Sequence, residues 1–268
     1  MTPRHATSHF EIDGLNIAYR VDGDDSKDAV VLINSLGTDL RLWEPQMDEL
    51  TRHFRVIRYD CRGHGDSDVP QDRTTSIGRL GADLVALLDC LNIERAHLCG
   101  ISLGGFTALW LAAYHRERVG RCVFANAAAR LGSEQSWDER IRAVEAGGLA
   151  AISETVVGRF LGATFRAAHP DVTRHLIDMV EATPAAGYIA ACAALREADL
   201  HNVISRIRAP SLIIGGELDQ SAPVGQSEEL NTLISDSKLV VLPGAAHLTN
   251  VEQAEKFTPI VTTFLRGL

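Results

Sequence analysis

The feature that most constrains the fold is a serine flanked by glycines, at the boundary between an apolar strand pattern and an apolar helix pattern. Residues 100–105 read Gly-Ile-Ser-Leu-Gly-Gly, after the short apolar run 96–100 and before the helical pattern 104–119. A sharp strand-to-helix turn leaves no room for side chains two residues either side of the serine, and glycines stand at both places. Such a turn raises Ser102 above the sheet, beside the positive end of the helix. The pattern also arises by chance in glycine-rich turns, but the strand before it and the helix after it favour a nucleophile elbow.

Apolar runs alternate with helical patterns along most of the chain, which predicts an α/β fold with a mostly parallel sheet flanked by helices. Before them, the alternation over 9–21 around Asp13 and Gly14 predicts a β-hairpin. The expected strands are 29–34, 54–60, 96–100, 122–125, 211–214 and 239–242, and the expected helices are 76–91, 104–119, 225–233 and 252–265.

One interval departs from this alternation. Residues from about 130 to 199 are rich in alanine and arginine and have an almost entirely helical pattern. An interval of about 70 residues is long for an ordinary crossover between parallel strands, which remains the alternative interpretation. We therefore expect an α/β core at 1–129 and 200–268, with an inserted helical lid at 130–199.

Charge and cysteine content exclude several kinds of protein. The 268 residues include 26 basic and 35 acidic ones, for a formal net charge of −9, so the positive charge typical of nucleic-acid binders is absent. The same charge gives no long-range attraction for an anionic ligand, so any anion site must be local. Five cysteines form no CxxC pair, and we expect them to be reduced.

The sequence also lacks the usual targeting and cofactor motifs. The N-terminal residues contain no apolar signal core, and no apolar run reaches the roughly 18 residues of a membrane span, which predicts a cytoplasmic protein. No cluster of metal-ligating side chains occurs, and no phosphate loop or dinucleotide-binding glycine motif follows the first strand. We therefore expect no metal and no cofactor, while the oligomeric state is not readable.

A serine hydroxyl needs a general base to become a nucleophile, and His247 is the strongest candidate among ten histidines. It follows the expected strand 239–242 directly and lies late in the chain, whereas most other histidines fall in helical or N-terminal segments. The second candidate is His64, which lies in a loop between two glycines.

The base in turn needs a carboxylate that fixes its tautomer, and Asp219 is the candidate. Asp219 lies at the end of the strand before His247, and the order Ser102, Asp219, His247 is the one expected for this elbow. A helix N-cap is the alternative role for Asp219, and Glu217 is a neighbouring carboxylate. Some related enzymes place the acid one strand earlier, where this chain has Asn126, which carries no charge.

The tetrahedral intermediate of acyl transfer needs two hydrogen-bond donors at its oxyanion. The backbone N–H of Leu103, directly after the serine, is one. The second is expected from the loop after the first parallel strand, Asn34–Gly37, and we assign it to the N–H of Leu36.

Taken together, these motifs resemble the α/β-hydrolase superfamily across nearly the whole chain. The resemblance rests on the loop 34–37 with Trp43 behind it, on residues 59–67 (Tyr-Asp-Cys-Arg-Gly-His-Gly-Asp-Ser), on the elbow, and on the two loops that end in Asp219 and His247. Within the superfamily the chain looks most like the 3-oxoadipate enol-lactonases of the protocatechuate branch of the β-ketoadipate pathway. The segments that carry this closer resemblance are 34–43, 58–65, 126–132, Trp137 and 146–150.

The resemblance implies hydrolysis of a small five-membered enol-lactone that bears a carboxylate, giving 3-oxoadipate. The carboxylate of such a substrate needs a cationic or amide partner in a cleft between sheet and lid. Arg130 lies where the lid begins, so we expect it to pair with the carboxylate, and we expect Trp137 to pack on the lactone ring. The alternative is a surface arginine and a tryptophan buried within the lid.

Other functions share the same serine, histidine and aspartate. A carboxylesterase, a C–C bond hydrolase, a perhydrolase and an acyltransferase are alternative enzymes, whereas dehalogenases and epoxide hydrolases resemble the chain less because they have aspartate where Ser102 stands. An alternative of another class is a small-molecule receptor with a hydrolase fold and little turnover.

Overall fold

The computed structural model describes residues 7–268. Met1–Ala6, part of the stretch in which we found no signal core, lies outside the described residues. Among the described residues, none of the helices is both long enough and apolar enough to span a membrane. The predicted mostly parallel sheet flanked by helices is confirmed.

A sheet of eight strands runs through the described part of the chain, in the order β1-β2-β4-β3-β5-β6-β7-β8. The first two strands and β4 pair antiparallel, and all pairs from β4 through β3 to β8 are parallel. The strands are β1 Ser8–Ile12, β2 Leu15–Asp22, β3 Ala29–Ile33, β4 Arg55–Tyr59, β5 Ala96–Ile101, β6 Val119–Ala125, β7 Ser211–Gly216 and β8 Ser237–Leu242.

The helices of residues 7–268 cover the sheet and fill the interval between β6 and β7. Outside residues 130–199, which make up most of that interval, the helices are α1 Glu44–His53, α2 Ile77–Cys90, α3 Leu103–Tyr114, α9 His201–Ile204, α10 Val224–Leu233, α11 Thr249–Glu252 and α12 Ala254–Leu265. Those inside residues 130–199, which we call the helical segment, are α4 Glu134–Gly147, α5 Ser153–Phe160, α6 Ala163–Ala168, α7 Pro170–Ala182 and α8 Ala185–Glu197.

Local sequence explains where several elements begin and turn. Asp13 and Gly14 both have positive φ (53° and 73°), as the two-residue turn of the predicted hairpin requires. Ser76 caps α2 by accepting a hydrogen bond from the N–H of Arg79. Helix α1 was not predicted, because its sequence is mainly polar and buries only Gln46, Met47 and Leu50.

The core consists of the apolar strands and the inward faces of the helices. All five residues of β3 are buried, and helix α3 is buried on nearly all sides, as a helix enclosed between the sheet and its neighbours must be. The parallel strands bring their carboxyl ends to one edge of the sheet. The loops that carry the predicted site residues after β3, β5, β7 and β8 therefore meet there.

Candidate active site

The serine turn between β5 and α3 has the strained geometry that the sequence predicts. Ser102 has φ 54° and ψ −117°, a backbone conformation that residues other than glycine rarely adopt. A Cβ atom added to Gly100 would lie 2.2 Å from the carbonyl oxygen of Gly104, and one added to Gly104 would lie 2.1 Å from that of Ile33. Both positions therefore exclude any side chain, and the turn holds Ser102 at the carboxyl edge of the sheet.

His247 and Asp219 form a buried pair at the same edge. His247 Nδ1 lies 2.8 Å from Asp219 Oδ2, and both side chains are almost completely shielded from solvent. This contact leaves Nε2 of His247 to exchange a proton with a substrate or with Ser102. The His247 imidazole also stacks on the ring of Phe160 in the helical segment, with 5.8 Å between the ring centroids.

The aspartate is held in its charged form. Burial by itself raises the pKa of Asp219, but the neighbouring His247, together with hydrogen bonds from His247, the N–H of Ala222 and Asn126, outweighs burial and holds that pKa below its usual value. Its Oδ1 atom accepts from the N–H groups of Ser221 (2.8 Å) and Ala222 (3.0 Å). A carboxylate bound this way is ionised at neutral pH and can stabilise an imidazolium.

Asn126 and Glu217, the other two acid positions considered from sequence, have different partners. Asn126 Nδ2 donates to Asp219 Oδ2 at 2.8 Å, and its Oδ1 accepts from Thr249 Oγ1 at 2.7 Å. Asn126 thus braces the aspartate from β6, with a positive φ of 47°. Glu217 accepts from the N–H of Gly244 at 2.7 Å and so fastens the loop before His247.

His64, the second candidate base, lies elsewhere. It is fully buried, Nδ1 lies 3.4 Å from the carbonyl of Arg62, and Nε2 has no hydrogen-bond partner. Burial lowers the pKa of His64 to about 4, so it is neutral at physiological pH. It is absent from the cavity that Ser102 and His247 line.

The two residues predicted to donate to the oxyanion lie at the start of α3 and in the loop after β3. Gly104 lies against the backbone oxygens of Ile33 and Asn34, so the first turn of α3 packs directly on the end of β3. This packing brings the residue after the serine, Leu103, towards the loop that contains Leu36. Leu36 lines the same cavity as Ser102, as a donor to an oxyanion at Ser102 must.

A cavity of about 390 Å³ lies between these loops and the helical segment. Both parts of the chain contribute side chains to its wall. The sheet-edge loops contribute Ser35, Leu36, Ser102, Gln220, Ser221 and His247, and the helical segment contributes Leu131, Gly132, Ser133, Ser136, Trp137, Arg140, Arg159, Phe160 and Leu195.

The structure brings one of the two expected substrate-binding residues to the cavity. Trp137 lines it, and its indole N–H donates to the carbonyl of Leu131 at 2.7 Å, which fixes the ring. Arg130 does not line it. Its exposed guanidinium lies 3.5 Å from Glu134 and 3.9 Å from Asp199, at the two ends of the helical segment.

Sequence reasoning missed the two arginines that do line the cavity, Arg140 of α4 and Arg159 of α5. Neither has an ion pair within 4 Å in residues 7–268, whereas Arg130, Arg174 and other arginines of this chain do. The Arg140 guanidinium lies 5.0 Å from the centre of the Trp137 ring. The spacing of Trp137 and Arg140, three residues apart on one helix, was the available signal, because such residues share a face.

Within the described residues no group of three or more His, Cys, Asp or Glu side chains is arranged to hold a metal ion. All five cysteines are free, and four of them are buried. The groups around the cavity include Ser102, His247 with its partner Asp219, and the two arginines.

Comparison with known proteins finds relatives that match most or all of the chain. A family model described as the alpha/beta hydrolase fold matches residues 28–254. The chain is 38% identical to 3-oxoadipate enol-lactonase 1 of Acinetobacter baylyi over 268 residues and 100% of both chains, and 37% identical to 3-oxoadipate enol-lactonase 2 of that bacterium over 92% of each. The crystal structure of the enol-lactonase from Burkholderia xenovorans LB400 matches with a TM-score of 0.94 and 38% identity, covering 97% of this chain and 100% of that one. The likeness therefore spans the sheet and the helical segment alike.

Proposed function

The chain belongs to the α/β-hydrolase family, and from that premise we propose that it hydrolyses 3-oxoadipate enol-lactone to 3-oxoadipate with Ser102 as nucleophile. In this proposal His247 is the general base, Asp219 orients it, and residues 130–199 form a lid over the substrate. The enol-lactonase relatives support the substrate, and the buried His247–Asp219 pair beside the serine turn supports the chemistry.

The charge of the cavity is the observation that carries the choice of substrate. Two arginines without an ion pair line it, and no aspartate or glutamate does so within the described residues. A chain with a net charge of −9 would otherwise repel a carboxylate. A pair of cations in the cavity that Ser102 lines therefore favours an anionic ester or lactone over a neutral one, because guanidinium groups bind carboxylates in a bidentate way.

The geometry supports a two-step acyl transfer. Ser102 Oγ attacks the lactone carbonyl carbon while its proton passes to His247 Nε2, and the N–H groups of Leu36 and Leu103 bind the resulting oxyanion. When the ring C–O bond breaks, the enol oxygen takes the proton from His247. The enol then tautomerises to a ketone, which removes the group that would otherwise close the ring again. A water molecule then gives a proton to His247 and attacks the acyl carbon. As the bond between that carbon and Ser102 Oγ breaks, His247 returns the proton to Ser102 and the product acid leaves.

In a lactone the leaving group stays attached to the acyl chain, so substrate orientation matters for both steps. A carboxylate held by Arg140 and Arg159 fixes the end of the substrate away from Ser102. Trp137, fixed by its bond to Leu131, then offers a flat face for the five-membered ring. These contacts position the carbonyl at the serine, which is the role that remote binding groups have in catalysis.

A panel of three substrates tests the proposal. The purified protein is assayed with 3-oxoadipate enol-lactone, with p-nitrophenyl acetate as a neutral ester, and with a ring-cleavage product that carries a scissile C–C bond. We expect multiple turnovers with the lactone and a kcat/KM at least about a hundredfold higher than with the neutral ester. A higher kcat/KM for the ester would indicate a carboxylesterase, C–C cleavage a C–C hydrolase, and one slow turnover a receptor.

A further inference from the structure

Ser35 is a buried polar residue that the mechanism above leaves without a role. Its exposed fraction is 0%, and its hydroxyl oxygen has no hydrogen-bond partner. A buried hydroxyl without a partner lowers stability, because it loses its hydrogen bonds to water and gains none. Ser35 nevertheless belongs to a residue set that lines the cavity, together with Ser102 and Leu36.

The backbone around Ser35 is fixed by other groups. Asn34 Nδ2 donates to the carbonyl of Tyr59 at 2.8 Å, and the carbonyl of Ser35 itself accepts from the N–H (3.2 Å) and the Oγ1 (2.8 Å) of Thr38. Ser35 is not among the residues with positive φ in the described chain, so its conformation needs no special side chain. These hydrogen bonds hold the loop without the Ser35 hydroxyl. A contact with a ligand in the cavity is therefore the role that we consider for this hydroxyl.

The position of the loop indicates which atom of a ligand the hydroxyl meets. Ser35 directly precedes Leu36, whose N–H is one oxyanion donor, and the neighbouring Asn34 carbonyl packs on Gly104 at the start of α3. The N–H of Leu103 belongs to that same first turn. Ser35 thus belongs to the same loop as one proposed oxyanion donor, and this loop packs against the turn that contains the other.

We propose that the Ser35 hydroxyl is a third hydrogen-bond donor to the oxyanion at Ser102, in addition to the N–H groups of Leu36 and Leu103. The proposal rests on the proposed function only in taking Ser102 as the nucleophile, and it applies to any ester or lactone. As the Ser102 Oγ–carbon bond forms, the Ser102 proton moves to His247 and the carbonyl π pair moves to the oxygen. The Ser35 O–H then donates to that oxygen and keeps its own proton, and the bond weakens again when the pair returns and the C–O bond to the leaving group breaks.

The chain offers a matched control in Ser227 of α10. It is also fully buried, and its hydroxyl also lacks a partner, but it packs beside Gly215 and does not line the cavity. Ser35→Ala and Ser227→Ala therefore delete the same group from equally buried places. If an unpaired hydroxyl affects folding alone, the two variants change the unfolding temperature and the activity alike.

The experiment compares both variants with the unaltered protein in three measurements. These are kcat and KM for the enol-lactone and for p-nitrophenyl acetate, the inhibition constant of a phenylboronic acid, and the dissociation constant of 3-oxoadipate. A boronic acid forms a tetrahedral adduct with the serine and places an oxygen in the oxyanion site, whereas the product acid forms none. The neutral ester keeps the test valid if the lactone proves not to be a substrate, which would contradict the proposed function and leave this one testable.

For Ser35→Ala we expect kcat to fall about tenfold to a hundredfold on either substrate, less than the 10²–10³ typical of a principal side-chain donor. KM and 3-oxoadipate affinity stay within about twofold, boronic acid affinity falls by a factor similar to that for kcat, and Ser227→Ala changes none of them. A kcat within about twofold of the unaltered value overturns the proposal. So does a loss confined to KM and product binding, or an equal loss in Ser227→Ala.

Discussion

The loops at the sheet edge and the helical segment form two walls of one cavity, and different interactions hold the residues of each wall in place. The sheet-edge side is held by backbone geometry and buried hydrogen bonds, such as the strained Ser102 turn and the four contacts of the Asp219 carboxylate. The helical segment contributes long side chains, Trp137, Arg140 and Arg159, that project from helix faces. The sheet-edge wall thus holds a few reactive atoms in fixed positions, whereas the helical segment contributes positive charge and an aromatic surface.

This difference separates two parts of an enzyme's task. Rearranging bonds requires groups fixed to fractions of an ångström, which strands and tight turns provide. Choosing a substrate requires shape and charge, which side chains on packed helices can supply and vary without disturbing the sheet. If the comparison is right, substitutions at the sheet edge reduce turnover of every substrate, and substitutions in the helical segment reduce turnover of some.

The largest expected effect is at the sheet edge, in Ser102→Ala. We expect a loss of kcat of the order of 10⁶ on every substrate, because the serine, histidine and aspartate act as a unit. Steady-state assays of the purified variant measure it, and 3-oxoadipate binding, which needs no nucleophile, serves as the control for folding. Near-normal hydrolysis by this variant would exclude the serine mechanism.

Asp219→Asn is expected to be the next most severe change. The amide keeps the shape of the carboxylate but favours the wrong tautomer of His247 and cannot stabilise its charge, which costs about 10⁴ in kcat in comparable triads. The loss should be the same for lactone and ester, measured from pH 6 to 9. A loss that differs tenfold between the substrates would show that Asp219 also acts in specificity.

Arg140→Ala and Arg159→Ala test the opposite wall. Losing a charge-assisted hydrogen bond of about 1.5–3 kcal/mol corresponds to a loss of about 10- to 150-fold in kcat/KM, and we expect it for the anionic lactone and not for p-nitrophenyl acetate. Arg174→Ala is the matched control, since this exposed arginine pairs with Asp178 of its own helix and does not line the cavity. Equal losses on both substrates would contradict a carboxylate site.

What the sequence could predict follows the same division. The elbow glycines, the histidine after β8 and the acid after β7 belong to loops whose function depends on local backbone shape, which leaves a pattern in a few consecutive residues. The cavity arginines depend on how α4, α5 and the sheet edge pack together, and arginines are common across residues 130–199. Arg130 was chosen from its place in the chain, where local sequence does not show which way a side chain points.

Asn126→Leu tests how far the sheet-edge side depends on its second hydrogen bond. The variant removes the Nδ2 donor to Asp219 and the Oδ1 acceptor for Thr249 without altering the triad itself. We expect kcat to fall about tenfold on both substrates, because the variant removes one of the hydrogen bonds that hold the Asp219 carboxylate in its charged form and in place. An unchanged kcat together with a lower unfolding temperature would mean a purely structural role.

Arg130→Ala tests whether Arg130, which the sequence led us to expect at the substrate carboxylate, takes part in substrate binding although it does not line the cavity. Its guanidinium is 44% exposed and contacts Glu134 and Asp199 at 3.5 and 3.9 Å, contacts that contribute at most about 1 kcal/mol. We expect kcat/KM to stay within about twofold on the lactone and on the ester. A selective loss on the lactone would return Arg130 to the substrate site.

The smallest expected effect is a pH-dependent one at the end of the helical segment. His201 Nδ1 lies 2.6 Å from Asp199, which also contacts Arg130, and Nε2 lies 3.2 Å from Glu229 of α10. The hydrogen bond to Asp199 is the main cause that raises the pKa of His201 above 6.5. A raised pKa in the folded state stabilises the protein fully below about pH 6.5, and this contribution disappears as the pH rises through the folded-state value.

His201→Ala should therefore lower the free energy of unfolding at pH 5.5 and leave it nearly unchanged at pH 9. Because the ring is exposed, the difference should not exceed a few tenths of a kcal/mol. Denaturant unfolding at the two pH values measures it, and 0.5 M salt should reduce it, since exposed ion pairs are screened. A loss of equal size at both pH values would assign His201 a packing role. Its contacts with Asp199 and Glu229 would then contribute no electrostatic stabilisation.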